Sequence, residues 1–189
     1  MEAPDGSRGL RPAVFLDRDG TIIREVGYLA DPDEIVLIPG AVEGMALLRE
    51  AGFVLVVVTN QSGIARGLYD LEAYWAVARR LDTLLEAQGV RPDATRFCPH
   101  HPSVSGPCSC RKPAPGMHVD ASRALGLDLS VSYYVGDRIR DLLPARELGG
   151  WGVLVRTGYG REEESGLPGG FDVADDLLDA ARRILCRGG

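Results

Sequence analysis

Short apolar runs rich in β-branched residues alternate along this chain with segments of helical periodicity. Such alternation is typical of an α/β fold, in which helices cover both faces of a mainly parallel sheet. The run at residues 53–58 is apolar at every position, as expected for a strand that is buried on both faces. We therefore predict a three-layer α/β sandwich around a central parallel sheet.

Hydrophobic periodicity and turn residues divide the chain into five strands and five helices. The predicted strands are residues 13–16, 53–58, 94–97, 132–135 and 152–155. The predicted helices are residues 41–50, 70–88, 117–125, 139–148 and 175–185, the second of them capped by Asp70. The stripe of this second helix that is expected to face the sheet is Leu71, Trp75, Ala78, Leu81 and Leu85. Residues 161–170, rich in Gly and Glu, are predicted to be a solvated loop.

The composition excludes several classes of protein. The chain has 189 residues, a formal charge of −6, 45% hydrophobic and 25% charged residues, which fits one globular domain over residues 1–189. The acidic balance argues against a nucleic-acid-binding protein. No apolar run approaches the ~20 residues of a membrane-spanning helix. Residues 1–12, which we expect to be flexible, lack the apolar stretch of a secretory signal. We expect a monomeric cytoplasmic protein with no membrane partner.

Two carboxylates directly follow the first predicted strand. Asp17 and Asp19 stand two positions apart and are followed by Gly20 and Thr21. Ligands bind at the carboxyl ends of the strands in open α/β sheets, so Asp17 is expected to point into that crevice. Two surface acids at the start of a loop are the alternative, which a second acidic cluster disfavours.

That second cluster is Asp137 and Asp141, which follow the fourth predicted strand. Their spacing predicts that both carboxylates lie on one face of a helix. If the two strand ends are neighbours, carboxylates at ~5 Å repel by roughly 3 kcal/mol at an effective dielectric constant near 20. A divalent cation would relieve this repulsion, and oxygen ligands alone favour Mg²⁺.

Two further polar features bear on the site: the residues that follow the predicted strand 53–58, and a single lysine. Thr59, Asn60, Gln61 and Ser62 offer donors to a phosphate, although such residues also suit an ordinary turn. Lys112 is the one lysine among 21 basic residues. It would supply a cation to the site, but a compositional preference for arginine explains a lone lysine equally well.

Taken in their order along the chain, the motifs described in the preceding paragraphs resemble those of the haloacid dehalogenase-like (HAD) superfamily of phosphotransferases. The resemblance covers residues 13–157. The resemblance implies a Rossmann-like fold and an aspartyl-phosphate mechanism. Asp17 would be the nucleophile and Asp19 the general acid and base, while Thr59 and Lys112 would hold the transferring phosphoryl group.

The same resemblance implies a catalytic Mg²⁺. Its ligands would be the carboxylate of Asp17, the main-chain carbonyl of Asp19 and the carboxylate of Asp137, with Asp141 supporting them. Arg138 stands where lysine is common in the superfamily, so the role of this side chain is open.

Residues 98–110 contain a Cys-x-His pair and a Cys-x-Cys pair, formed by Cys98, His100, Cys108 and Cys110. Three thiolates and one imidazole suit a tetrahedral structural Zn²⁺ site. A disulfide is disfavoured in the cytoplasm, and free buried thiols leave the histidine unexplained. His101 is an alternative ligand, but the resemblance places the ligand at His100.

This loop narrows the resemblance to two zinc-containing families of HAD phosphatases. Residues 59–67 are similar to the corresponding segment of the heptose 1,7-bisphosphate 7-phosphatases. The sequences of histidinol-phosphate phosphatases typically differ from this segment after Thr-Asn-Gln. The resemblance implies removal of the 7-phosphate of D-glycero-D-manno-heptose 1,7-bisphosphate, a step in making nucleotide-activated heptose for surface glycans. Histidinol phosphate is the alternative substrate, and an idle zinc-binding interaction module is the alternative of another class.

The substrate contacts are also implied by the resemblance. Residues expected to line the sugar or touch the substrate are Glu25, Gly27, Tyr28, Asn60, Gln61, Ser62 and Arg111. Arg66 and Arg111 are candidates for binding a second phosphate, or are ordinary surface arginines. Because only about twenty residues separate Thr21 from Gly40, no cap domain fits, and loops 23–38 and 98–110 are expected to wall the site.

Overall fold

In the computed structural model, which describes residues 9–187, six parallel strands form one sheet flanked by helices. The strands are β1 (Ala13–Leu16), β2 (Val54–Asn60), β3 (Ala94–Cys98), β4 (Tyr133–Gly136), β5 (Trp151–Val155) and β6 (Asp172–Ala174). The helices are α1 (Ala41–Glu50), α2 (Leu71–Ala87), α3 (Pro102–Ser105), α4 (Gly116–Leu125), α5 (Ile139–Leu148), α6 (Gly160–Glu163) and α7 (Leu177–Arg187). Short 3₁₀ turns cover Pro32–Glu34, Leu129–Val131 and Glu164–Gly166. Within this range, no helix is long and apolar enough to cross a membrane.

The strand order is β3-β2-β1-β4-β5-β6, which confirms the predicted parallel α/β fold. The chain moves outward from β1 through β2 to β3, and then returns to pair β4 with the other side of β1. The strand order therefore reverses between β1 and β4. In open α/β sheets, ligands bind beyond the carboxyl ends of the strands at such a reversal.

The hydrophobic core lies on both faces of the sheet, and β1 illustrates this. Its four residues are all buried, with Val14 and Leu16 facing one cluster and Ala13 and Phe15 facing the other. The first cluster includes side chains of α1, α2 and α7, and the second includes side chains of α4 and α5. A strand covered on both faces has no polar position, which explains the continuous apolar runs in the sequence.

The sixth strand was not predicted from the sequence. β6 has only three residues and begins with Asp172, so it carries no apolar run. The prediction of a solvated loop at residues 161–170 is confirmed for solvent exposure, since none of these residues is buried, but wrong for conformation, because α6 and the turn Glu164–Gly166 occupy much of the segment. Two of its three acidic side chains have partners: Glu164 pairs with Arg156 at 2.7 Å, and Glu163 accepts a hydrogen bond from the backbone of Ile139.

The interpretation of the α2 stripe is wrong for its first two members. Leu71 and Trp75 are 48% and 45% exposed, and the residues of α2 that face the core are Tyr74, Val77, Leu81 and Leu85. Periodicity alone does not separate Tyr74 from its neighbour Trp75. The Trp75 ring instead lies edge-on to Phe97 of the edge strand β3, with ring centroids 5.4 Å apart. The Asp70 cap has the predicted geometry, with its side chain accepting a hydrogen bond from Ala73 N at 2.8 Å.

The expectation of a flexible segment at 1–12 concerns mainly residues 1–8, which lie outside the described residues. Both main-chain polar groups of Arg11 form hydrogen bonds. Its N–H donates to the carbonyl of Gly126 at 3.0 Å, and its carbonyl accepts from Asp128 N at 2.9 Å. Arg11 is therefore part of the fold.

A close contact between α1 and α7 gives a first prediction. A Cβ at Gly44 would lie 2.6 Å from the main-chain carbonyl oxygen of Leu177. Alanine is favoured over glycine in helices by about 1 kcal/mol. Gly44→Ala is nevertheless expected to lower the free energy of unfolding by about 1–3 kcal/mol, because the backbone of α7 must shift. Urea unfolding followed by circular dichroism measures this.

The control is Gly169→Ala, at a position where a Cβ meets nothing within 4 Å. This variant is expected to be as stable as the wild type. A Gly44→Ala protein that is equally stable would contradict the close helix packing.

Candidate active site

Three carboxylates from two neighbouring strands meet at the carboxyl edge of the sheet. Asp17 directly follows β1, Asp137 follows β4, and Asp141 lies in the first turn of α5. One oxygen of each lies within 4.8 Å of the others, and all three residues are buried. The structure therefore brings together the acidic side chains that were predicted to gather around Mg²⁺.

The two acids after β4 do not share a helix face as their spacing predicts. Asp137 precedes α5, which begins at Ile139. Asp137 Oδ2 accepts a hydrogen bond from Tyr159 N at 2.8 Å, and Asp141 Oδ2 accepts one from Arg138 N at 3.0 Å. The turn between strand and helix, rather than helical periodicity, directs both carboxylates towards Asp17.

Two glycines make room for the Asp137 carboxylate. A Cβ at Gly20 or Gly158 would lie 2.2 or 2.1 Å from Asp137 Oδ2, and both glycines have positive φ. Burial, together with the carboxylates of Asp17 and Asp141, raises the pKa of Asp137 to about 8. Buried carboxylates this close together are all ionised only beside a compensating cation. Their donor atoms are all oxygens, the ligand type that suits Mg²⁺.

Lys112 lies between two of these carboxylates. Its Nζ is 2.8 Å from Asp17 Oδ1 and 2.8 Å from Asp141 Oδ1, and it donates to the carbonyl of Val58 at 2.6 Å. Burial alone would lower the pKa of Lys112, but the two carboxylates outweigh it and raise the pKa above its usual value. A permanently charged ammonium group therefore stands beside the predicted nucleophile.

Asn60 fixes the loop that presents Lys112. Its Nδ2 donates to the carbonyl of Lys112 at 3.2 Å, and its Oδ1 accepts from Lys112 N at 3.1 Å. The Asn60 amide thus binds both main-chain polar groups of Lys112. Its predicted contact with the substrate stays a prediction.

Asp19 has hydrogen-bond partners other than Lys112. Its carboxylate accepts two hydrogen bonds from the Arg18 guanidinium, both at 3.0 Å, and one from Gln61 Nε2 at 3.0 Å. Thr59 Oγ1 lies 3.5 Å from Asp19 Oδ2. Burial alone would lower the pKa of Arg18, but the pairing with Asp19 outweighs it and raises the pKa.

A cavity of about 380 Å³ opens above these groups. It is lined by all eight residues that were predicted to contact the substrate: Glu25, Gly27, Tyr28, Asn60, Gln61, Ser62, Arg66 and Arg111. Its lining also includes five residues without a predicted substrate contact: Tyr69, His101, Arg138, Arg140 and Tyr159. Arg140 could have been found, since it lies inside the second acidic motif. Tyr69 and Tyr159 come from loops that carry no comparable signal.

The cavity has an acidic floor and a basic wall. Arg66, Arg111 and Arg140 all line this cavity. Burial and the charges of Arg140 and Arg66 lower the pKa of Arg111. Arg66 Nη2 is 2.7 Å from His101 Nε2. The Arg138 guanidinium lies 3.5 Å from the ring centroid of Tyr159 and pairs with Glu163 at 3.5 Å. The arginines provide positive charge for an anionic ligand.

A second cluster adjoins this wall. Donor atoms of Cys98, His100, Cys108 and Cys110 lie within 4.8 Å of one another. Cys98 Sγ is 3.7 Å from both Cys108 Sγ and His100 Nδ1, close to the ~3.7 Å edge of a tetrahedron with Zn–S bonds of ~2.3 Å. The Cys98 and Cys110 sulfurs are nearer, at 2.9 Å, yet all these cysteines are free thiols.

His100 rather than His101 belongs to this cluster. His101 Nδ1 accepts a hydrogen bond from Ser103 N at 3.3 Å at the start of α3, while its Nε2 faces Arg66. Burial raises the pKa of the Cys98 thiol, so a thiolate there requires a cation. This donor set fits Zn²⁺.

Comparison with known proteins places the chain in a family. A family model described as HAD-hydrolase-like matches residues 109–180. The D-glycero-beta-D-manno-heptose-1,7-bisphosphate 7-phosphatase of Yersinia pestis is 45% identical over 182 residues, covering 93% of this chain and 96% of that protein. This chain belongs to the D-glycero-beta-D-manno-heptose-1,7-bisphosphate 7-phosphatase family. The predicted resemblance is thereby confirmed.

Other members of the heptose bisphosphate phosphatase family agree. The Bordetella bronchiseptica relative of the same name is 39% identical over 175 residues, covering 91% of this chain and 97% of that protein. A crystal structure of D,D-heptose 1,7-bisphosphate phosphatase from B. bronchiseptica, complexed with magnesium and phosphate, aligns with a TM-score of 0.85. It is 37% identical, and the alignment covers 94% of this chain and 99% of that chain.

The raised pKa of Asp137 gives a second prediction. Its carboxyl group keeps a proton in the folded state up to about pH 8 but loses it near pH 4 when unfolded, so stability falls as pH rises between these values. In magnesium-free buffer at pH 9, Asp137→Asn is expected to be more stable than the wild type. The gain should be at least about 1 kcal/mol, or roughly 2–4 °C in melting temperature.

Differential scanning calorimetry with and without Mg²⁺ measures this, and Mg²⁺ should stabilise the wild type more than the variant. Glu147→Gln, an exposed change on α5, is the control and should shift stability by less than about 0.5 kcal/mol. An Asp137→Asn protein less stable than the wild type at pH 9 would contradict the raised pKa of Asp137.

Proposed function

We propose that this protein is a Mg²⁺-dependent phosphatase that removes the 7-phosphate of D-glycero-D-manno-heptose 1,7-bisphosphate. The observation that carries this proposal is the site geometry: Lys112 Nζ lies 2.8 Å from Asp17, which is clustered with Asp137 and Asp141. Support for the substrate comes from the 45% identity to the Y. pestis protein over 93% of this chain.

Asp17 is proposed to act as the nucleophile. Its carboxylate oxygen forms a bond to phosphorus while the bond from phosphorus to the sugar oxygen breaks, and Asp19 donates a proton to that oxygen. Asp19 then accepts a proton from water, whose oxygen attacks phosphorus and releases phosphate from Asp17. An aspartate nucleophile thus divides one difficult hydrolysis into two displacements.

The remaining residues hold the phosphoryl group. We assign Mg²⁺ binding to the carboxylates of Asp17 and Asp137 and to the main-chain carbonyl of Asp19, with Asp141 beside them. When bound, the cation offsets negative charge on the phosphoryl oxygens. We assign stabilisation of the same oxygens to the positive charge of Lys112 and to the Thr59 hydroxyl, and both side chains are buried.

The basic wall is proposed to bind the other end of the substrate. Arg66, Arg111 and Arg140 would face the 1-phosphate, while Glu25, Gly27 and Tyr28 would line the sugar. The Tyr28 ring centroid is 6.0 Å from the Arg66 guanidinium, which links the two loops around the cavity. Arginine suits this role because its planar fork binds phosphate oxygens in pairs.

We further infer that the cluster in residues 98–110 binds a structural Zn²⁺. Four protein ligands fill the tetrahedral shell, which leaves no position for catalysis. The zinc would stabilise the loop that carries His101 and Arg111 to the wall of the cavity. Reduced thiols at such a site are consistent with the cytoplasm.

The substrate is tested by phosphate release from purified protein with Mg²⁺, comparing kcat/KM for heptose 1,7-bisphosphate and for histidinol phosphate. The proposal predicts a clear preference for the heptose. A preference for histidinol phosphate would identify the protein with the alternative enzyme. Absence of phosphate release from any small ester would support an idle zinc-binding module.

The nucleophile assignment gives a third prediction. Asp17→Asn should lower kcat by up to about 10⁶-fold, because loss of a covalent nucleophile has an effect of that size. Steady-state phosphate release measures this, and the variant should retain zinc. Asp120→Asn, on the exposed side of α4, is the matched control and should keep normal turnover. Near-normal activity of Asp17→Asn would show that another group attacks phosphorus.

The zinc ligands give a fourth prediction. Cys108→Ser should lower the zinc content and the melting temperature, because a structural zinc contributes its binding energy to folding. Plasma emission spectrometry and calorimetry measure both. Cys186→Ser, at an exposed cysteine of α7, should change neither. Wild-type zinc content in Cys108→Ser would reject the ligand assignment.

A further inference from the structure

The orientation of the Asp19 carboxylate depends on side chains to which the reaction scheme gives no task. The Arg18 guanidinium holds both oxygens of Asp19, and Gln61 Nε2 donates to Oδ2 at 3.0 Å. Arg18 and Gln61 are only 3% and 4% exposed. The carboxylate is therefore held in one position by buried donors.

Gln61 has little capacity left for a substrate. Its Nε2 donates to Asp19 Oδ2 and, at 2.8 Å, to Thr59 Oγ1. Its Oε1 accepts from the Tyr69 hydroxyl at 2.5 Å. Both N–H groups are thus used within the protein, and they link the side chains of Asp19 and Thr59.

Tyr69 determines which way the Gln61 amide faces. Because its hydroxyl donates to Oε1, the amino group of Gln61 faces Asp19 and Thr59. If the amide turned over, Oε1 would face the Asp19 carboxylate, and two acceptors would oppose each other. The Tyr69 ring is itself fixed, since a Cβ at Gly63 would lie 2.2 Å from its Cε1.

We infer that Tyr69, acting through Gln61, is a positioning residue that holds Asp19 in place for protonating the leaving oxygen. This inference rests on the proposed role of Asp19 as the general acid. Among the described residues, no hydrogen bond joins Tyr69 to Asp19, so the Tyr69 hydroxyl acts on Asp19 through the amide of Gln61. Loss of this hydroxyl is therefore expected to affect chiefly the step in which Asp19 protonates the leaving group.

The leaving group distinguishes this role from a general structural one. A sugar alkoxide needs protonation as it departs, whereas p-nitrophenolate departs without it. The ratio kcat/KM reports only the steps up to the first irreversible one, so later hydrolysis of the phosphorylated enzyme does not obscure the comparison. Tyr69→Phe should lower kcat/KM for the heptose bisphosphate about tenfold, and for p-nitrophenyl phosphate by less than about twofold.

Tyr74→Phe is the matched control. Tyr74 is 1% exposed, and among the residues that the structure describes its hydroxyl has no hydrogen-bond partner. This variant should leave kcat/KM unchanged for both substrates. A second variant, Gln61→Met, removes the amide and should reproduce the selective loss on the sugar phosphate.

The inference is overturned if Tyr69→Phe lowers kcat/KM equally for both substrates, or for neither. Failure of the proposed function gives a different result, because wild-type protein would then not cleave the heptose bisphosphate. In that case the comparison is made with another alkyl phosphate that the wild type cleaves, against p-nitrophenyl phosphate. A selective loss on the alkyl ester would still support the positioning role.

Discussion

The site depends on the balance of charge among three buried carboxylates and one buried ammonium group. Asp17, Asp137 and Asp141 lie within 4.8 Å of one another, and Lys112 compensates only part of their charge. Burial of an unpaired ion costs several kcal/mol, so such a cluster persists only where the surrounding fold fixes it. Burial and the carboxylates of Asp17 and Asp141 raise the pKa of Asp137 although Lys112 lies beside the cluster. In the proposed function, a divalent cation and an anionic phosphoryl group would together complete the balance.

The parallel sheet supplies the rigidity that this balance needs. β1 and β4 are neighbours in the sheet, so Asp17 and Asp137, which directly follow them, lie close together although they are far apart in the chain. The strand ends bring the acids together, Gly20 and Gly158 leave space for Asp137, and Asn60 fixes the loop of Lys112 from the end of β2. Each group is therefore held by backbone geometry rather than by the ions themselves, which allows like charges to approach.

The sequence predicted the parts of the site that local patterns determine. Asp17 and Asp137 could be placed because they directly follow apolar strands, and the Cys and His spacing identified the second cluster. Helical periodicity failed for Trp75, since a position at the border of the buried face is decided by the neighbouring Phe97. Tyr69 was missed because its role arises from its hydrogen bond to Gln61 in the folded segment after β2, which no local pattern records. Arg140 was overlooked although it lies inside the second acidic motif. The three-residue strand β6 was missed because it is too short to show a period.

The arrangement of the cavity explains how a phosphatase without a cap domain can select a bisphosphate. The proposed catalytic groups lie on its floor, where Lys112 and Thr59 are buried and would not contact the rest of the substrate. In the proposed function, recognition would fall to the walls, where Arg111 directly follows the 98–110 loop and Arg66 lies in the loop after β2. Binding of a second phosphate at these arginines would supply energy far from the reacting bond, and that energy can orient the first phosphate towards Asp17. The proposed zinc site in this wall would then have a physical role: a rigid loop lets remote binding energy position the substrate, whereas a mobile loop would lose that energy to its own ordering.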